Sequence, residues 1–193
     1  MKNWEYENDT GIYFWGGILS NWAKSNFIEA IGPVTLEGRH LVVFCTAEQY
    51  MMRMKADLFN DKAAADKIME TRDPKEQKAI GRTIKSYSDD VWDPVARDLT
   101  YPGIYAKFDQ NKSFKDLLLD TGDKILVEAS PFDKKWGIGL SYDDLRAFDK
   151  SQWQGTNWLG HMLMKVRDDL RNGTKPRLYI NDDYEPINWK QYE

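Results

Sequence analysis

The chain has 193 residues and a formal net charge of -4, with 27 Lys and Arg against 31 Asp and Glu. That length suffices for one domain with a substantial core, while the acidic balance excludes general gripping of nucleic acid through its phosphates and leaves only a local basic pocket. Cys45 is the single cysteine and His40 and His161 the only histidines, which rules out an internal disulfide and speaks against a cysteine- or histidine-rich metal site.

Residues 1–10 are polar and are expected to fray. They contain no apolar signal-peptide core, and no later apolar run nears the roughly 20 residues that span a bilayer, so no membrane partner and a soluble, reducing, cytosolic setting are expected. Residues 11–19 (GIYFWGGIL) read as an aromatic-rich extended segment and 20–27 as an irregular loop. Residues 33–36 and 39–44 then form a hairpin about Glu37-Gly38. Thr46 starts a helix running to about residue 59, with Gln49 placed to reach back in a capping box, and Asn60-Asp61 caps a shorter one ending near Met69. Asp73-Pro74 with Glu76 predicts another capped start, and Arg82 falls in that helix after Gly81. Gly81 implies a close approach, either by a neighbouring helix or by a ligand. Asp93-Pro94 opens a helix that Tyr101-Pro102-Gly103 should kink or break. Ser113 caps a segment stopped by Thr121-Gly122, residues 124–129 form a strand, and 130–140 form a loop punctuated by Pro131, Gly137 and Gly139. A last helix spans about 158–171 and is ended by Gly173; the polar tail carries one more strand at 177–180.

No nucleotide P-loop, dinucleotide fingerprint, zinc-protease helix or serine-hydrolase elbow is present. What stands out is a set of polar residues in costly places: Glu48, Lys55, Arg82, Lys107, Glu128 and Asp133, accompanied by Trp92 and Trp136. Glu48 lies in the first turn of its helix, where the dipole favours an anion, and Met52 and Lys55 share its face. The plain alternative is a dipole-complementing Glu48 and a solvated Lys55. Asp133 to Gly139 place a carboxylate and an indole on a glycine-shaped loop, which reads equally as a ligand cradle and as a surface turn. Glu128 ends an apolar strand, where a carboxylate needs a partner.

SNF at 25–27, Glu48 with Lys55, Gly81-Arg82, Trp92, Lys107-Phe108, LVE at 126–128, D-x-x-W-G-x-G from Asp133 and G-x-N-x-L-G-x-x-L-M-x-x-R from Gly155 together resemble the NADAR superfamily, whose best-known branch is YbiA-like. The resemblance covers about residues 13–172. It implies a compact α+β single domain, predominantly helical with a few short strands, spanning 1–193 with a polar tail from 173. It also implies an N-glycosidase that needs no cofactor or metal. Its substrate would be either ADP-ribose on a guanine base, in a nucleotide or in nucleic acid, or a phosphoribosylamine intermediate of riboflavin synthesis. On the matched positions Glu48 and Asp133 become the catalytic candidates, and Asn26, Phe27, Lys55, Arg82, Trp92, Lys107, Trp136, Gly137 and Asn157 the substrate-binding ones. This sequence departs from the pattern at Gln49, where His is usual, at Met52 and Met54, at Pro102-Gly103, and in an insertion at 140–154; these bear on substrate choice more than on reaction type. A catalytically silent module binding ADP-ribose or a related nucleotide is the alternative reading, and an interaction protein with an aromatic surface the third.

Overall fold

Residues 11–14 and 125–127 are apolar without alternation, the pattern of strands buried on both faces. The computed structural model describes residues 4–35, 38–176 and 185–193; the expected strand at 177–180 and the hairpin residues 36–37 lie outside them. The described contacts group into two compact units, one drawn from Met1–Ala23, Ser113–Thr174 and Asn188–Glu193, the other from Lys24–Lys112 and Lys175–Ile187. With seven α-helices and five short strands among the described residues, the fold is α+β and predominantly helical.

The first unit is built on a three-stranded sheet of order β1-β2-β5, from β1 (Tyr6–Glu7), β2 (Gly11–Phe14) and β5 (Ile125–Glu128). β1 pairs antiparallel with β2, and β2 parallel with β5. Residues 4–10 are therefore more ordered than their composition suggests. The Asn8 side chain closes the turn by accepting from the Thr10 and Gly11 N–H groups at 3.0 and 2.7 Å. Helix α6 (Lys112–Asp120) starts one residue before Ser113, which is thus not its cap. Helix α7 (Trp158–Asn172) buries Leu159, Met162, Leu163 and Val166 and ends at Gly173 in the left-handed region. The insertion at 140–154 folds into two short 3-10 turns, and its Tyr142, Phe148 and Trp153 pack against a core of Tyr13, Val127, Ala129, Ile138, Leu140 and Ala147.

The second unit opens with a hairpin of β3 (Phe27–Thr35) and β4 (Gly38–Phe44), registered from Phe27 opposite Phe44. β3 starts six residues earlier than expected because Phe27 and Ile31 join a core with Phe44, Tyr50 and Ala106. Gln110 closes part of the β3 edge, its amide donating to the Ile28 carbonyl (2.7 Å) and accepting from the Ile28 N–H (2.8 Å). Five helices follow: α1 (Ala47–Leu58), α2 (Lys62–Glu70), α3 (Pro74–Gly81), α4 (Asp89–Trp92) and α5 (Ala96–Asp109). Asp61 and Asp73 cap α2 and α3 as their sequence positions imply. Glu76 does not complete a capping box, because its carboxylate accepts from the Thr71 hydroxyl, which in turn accepts from the Asp73 N–H.

Two readings near Pro102 need correction. The short α4 precedes α5, which starts at Ala96 rather than at Pro94, and α5 runs unbroken through Pro102. Pro102 removes one backbone donor, but Thr100 to Phe108 are all buried, and tertiary packing outweighs that local loss. Gly103 has a clear purpose: a Cβ there would come 2.2 Å from the Tyr50 ring, so α5 meets α1 at a distance only glycine permits. Gly103→Ala should therefore overpack the crossing and destabilise the protein by about 1–3 kcal/mol, read from chemical denaturation.

Candidate active site

The start of α1 is buried, with Thr46 and Ala47 fully so and Glu48 and Gln49 nearly so. Its orphan N–H groups must find protein partners. Thr46 Oγ1 accepts from the Gln49 N–H at 2.9 Å, and Gln49 Oε1 reaches back to the Cys45 N–H at 2.9 Å, one residue beyond the cap itself. Gln49 Nε2 donates to the carbonyls of Ile68 and Thr71, while Thr46 Oγ1 donates to Gln77 Oε1 at 2.7 Å. Gln49, where the family resemblance leads one to expect His, is thus a structural brace using its whole amide. Glu48 is 2% exposed and sits in the first turn, at the positive end of the helix dipole.

Lys55 lies seven residues further along that face and is 9% exposed, so it is not the solvated lysine of the plain reading. Its ammonium donates to the Gly81 carbonyl at 3.0 Å, at the negative end of α3, and lies 3.7 Å from the centre of the Tyr87 ring. Gly81 itself answers to a helix neighbour, since a Cβ there would meet Met52 Sδ at 2.0 Å. Arg82, expected within α3, is instead its exposed C-cap, because the helix ends at Gly81. Lys107 is wholly buried on α5. Two other candidates are core: Trp92 is 3% exposed, and Phe27, 1% exposed, stacks on Phe44 at 5.7 Å. Asn26 is exposed and tied by its carbonyl to Asn111 and by its side chain to Arg72. A surface recess on this unit is lined by Arg53, Ala56, Asp57, Asn60 and Lys62, none of them a candidate.

In the first unit Asp133, Trp136, Gly137 and Asn157 come together. Asp133 is half-buried and its Oδ1 accepts from the N–H groups of Lys135 (3.1 Å) and Trp136 (2.8 Å), while its carbonyl accepts from Gly139. Trp136 meets Trp158 edge-on at 5.7 Å. The loop is laced to the start of α7 by the Thr156, Asn157, Trp158 and Leu159 N–H groups, which donate to the carbonyls of Lys134, Gly137, Lys135 and Trp136 in turn. Asn157, 1% exposed, sits in the left-handed region, accepts from the Glu128 N–H at 3.0 Å and donates to the Leu126 carbonyl at 2.9 Å. Its amide is engaged by β5. Gly155 and Gly160 allow the same closeness: a Cβ would lie 2.4 Å from the Gly137 carbonyl and 2.0 Å from that of Leu126. Arg167, the last residue of that motif, donates to Thr121 Oγ1 and the Lys124 carbonyl. Glu128, the carboxylate that ends β5, is 8% exposed.

Residues 13–171 match the family model described as the NADAR domain. The chain belongs to the NADAR family. It is 38% identical to an N-glycosidase of Acanthamoeba polyphaga mimivirus over 84% of this chain and 91% of that protein. It is 32% identical to the chloroplastic riboflavin biosynthesis protein PYRR of Zea mays over 80% of this chain but 24% of that one. The solved structure of Escherichia coli YbiA superimposes with a TM-score of 0.64 at 25% identity, covering 87% of this chain and 89% of the other.

Two predictions follow from the bracing of this NADAR domain. Asn157→Ala strands two buried backbone groups and puts into the left-handed region a residue that tolerates it less well than Asn, so it should lose about 2–4 kcal/mol in urea denaturation, and Asn157→Gly less. Asp61, which accepts from the N–H groups of Ala64 and Lys85, is held below the usual carboxylate range by those bonds, Lys85 first. Because its folded pKa is depressed, its stabilisation is complete above the unfolded value near ~3.9 and is lost as pH falls through the folded one. The Tm gap between wild type and Asp61→Ala should thus be widest near neutral pH and close in acid.

Proposed function

We propose that this NADAR protein is an N-glycosidase, a hydrolase of the bond between a ribose carbon and a nitrogen. The observation that carries the reading is Glu48: a carboxylate 2% exposed, in the first turn of α1, on the face that also bears Lys55. Cleavage of a glycosidic C–N bond builds positive charge on the sugar ring, and a fixed anion in a water-poor setting opposes that charge more strongly in the transition state than in the ground state. The names of its relatives support the same class of reaction. Asp133 is the second catalytic candidate, as a carboxylate that can activate water. Arg82, exposed at the end of α3, and Lys55 suit a phosphate or diphosphate.

The substrate we favour is ADP-ribose linked to a guanine base. A phosphoribosylamine of the riboflavin pathway is the second reading, favoured by the similarity to the Zea mays protein. A side-by-side assay of ADP-ribosylated guanine in single-stranded DNA and of the riboflavin-pathway intermediate tests the choice. Faster release of base from the DNA is expected, and faster cleavage of the intermediate would reverse the assignment. Failure to cleave either, with ADP-ribose still bound, would mark a silent binding module.

Glu48→Gln keeps size and hydrogen-bonding capacity but removes the charge, so kcat should fall by about 10²–10³ with Tm close to wild type. Wild-type turnover would remove Glu48 from the mechanism. Arg82→Ala offers the cleaner test of phosphate binding, because Lys55 also holds the end of α3. The variant should keep the wild-type Tm without ligand and lose most of the rise that ADP-ribose gives the wild type.

A further inference from the structure

Two aromatic rings of the first unit stand in solvent with no core to fill. Phe132 is 84% exposed and Trp15 45%, and their centroids are 5.8 Å apart at 45°. Both follow directly from the parallel strand pair. Trp15 is the residue after Phe14, which pairs with Glu128, and the Ala129 N–H donates to the Phe14 carbonyl at 2.7 Å. Phe132 comes four residues after Glu128 and immediately before Asp133. The carboxyl ends of parallel strands are where open α/β sheets present their ligand sites. The backbone beneath both rings is fixed. The Trp15 N–H donates to Glu5 at 2.8 Å, and the Asp133 turn is tied by the Lys135, Trp136 and Gly139 N–H groups. Exposed Lys134 is the next cation along the loop.

An exposed aromatic pair on a rigid backbone, with a lysine at hand, has the chemistry of a stacking platform for a nucleobase, at little ordering cost on binding. Trp136, half-buried against Trp158, is a different surface on the other side of Asp133 in the sequence. We propose that Trp15 and Phe132, beside the Asp133 turn, form a platform that stacks a base of a single-stranded polynucleotide. This rests on the N-glycosidase reading and on Asp133 as a candidate of its site. The lysine's charge is local, which accords with a chain of net charge -4.

The test is fluorescence anisotropy of a labelled, unmodified single-stranded oligonucleotide of about eight nucleotides, with the full chain and its Phe132→Ala, Phe132→Leu and Phe132→Tyr variants. ADP-ribose thermal shifts are measured alongside. Because Phe132 lies in solvent, all four proteins should melt together. Alanine and leucine should weaken oligonucleotide binding by about tenfold or more, the factor expected from loss of one stacked base, while tyrosine retains it and the ADP-ribose shift stays constant. The platform is overturned if wild type binds no oligonucleotide, if alanine binds as wild type does, or if leucine replaces phenylalanine without loss, which would mark a generic apolar contact. A parallel fall in the ADP-ribose shift would also overturn it, by placing the ring in the ribosyl site. The unmodified strand contains no bond to cleave, so these outcomes are independent of whether wild type hydrolyses an N-glycoside.

Discussion

A helix that starts in a protein interior must satisfy its first N–H groups without water, and the second unit is arranged around that requirement at Thr46. The Thr46 hydroxyl accepts from the Gln49 N–H and donates its own hydrogen bond to Gln77, whose amide donates to the Thr71 carbonyl at 3.0 Å. Gln49 collects Cys45, Ile68 and Thr71. The start of α1, the end of α2 and the start of α3 are thereby fastened at one point. Once the backbone is satisfied in this way, its aligned dipoles are available to favour a buried carboxylate at Glu48. The residue at position 49 must both accept one hydrogen bond and donate two, which an amide does and an imidazole, with two nitrogens, does not. Gln at position 49 is therefore what the packing of this chain requires.

The first unit meets the same requirement by other means. Its long loop contains glycines where a carbonyl presses close, and Asn157 supplies the missing donor and acceptor to the end of β5. Most of what makes G-x-N-x-L-G recognisable is therefore bracing: it fixes the Asp133 turn to the sheet and to α7. Chemistry is left to residues whose own positions these braces determine.

Much of this was legible in the sequence, and the failures share a cause. Caps and stops are local, so Thr46, Asp61, Asp73, Gly122 and Gly173 could be placed from single residues and their neighbours. The strand at 125–128 was visible because burial on both faces leaves the continuous apolar run 125–127. Pro102 misled because its local preference is overridden by burial of nearly the whole of α5, including the contact of Gly103 with Tyr50, a residue some fifty positions away in the chain. Glu76 misled because Thr71, outside the capping motif, competes for its carboxylate. For the candidate site, the sequence could mark Glu48 and Lys55 as sharing a face. It could not reveal that Lys55 is covered by Tyr87, that Phe27 and Trp92 are core, or that the Asn157 amide is engaged by β5, since each depends on contacts between distant segments.

The pairing of Gly11 with Ile125 has a consequence for how the molecule is made. Strand β2 leaves the ribosome early and has no β5 to pair with until more than a hundred further residues have been synthesised. Every segment from Lys24 to Lys112 emerges in that interval, with a hairpin and helices whose contacts are mostly closer in sequence. Ordering by contact distance therefore favours the second unit as the earlier to form. Until β5 arrives, the run GIYFW has only the two-residue β1 beside it and its other edge is open, the kind of edge that other chains can capture. The central sheet of the first unit is thus the last part to close and, during synthesis, the part most in need of protection.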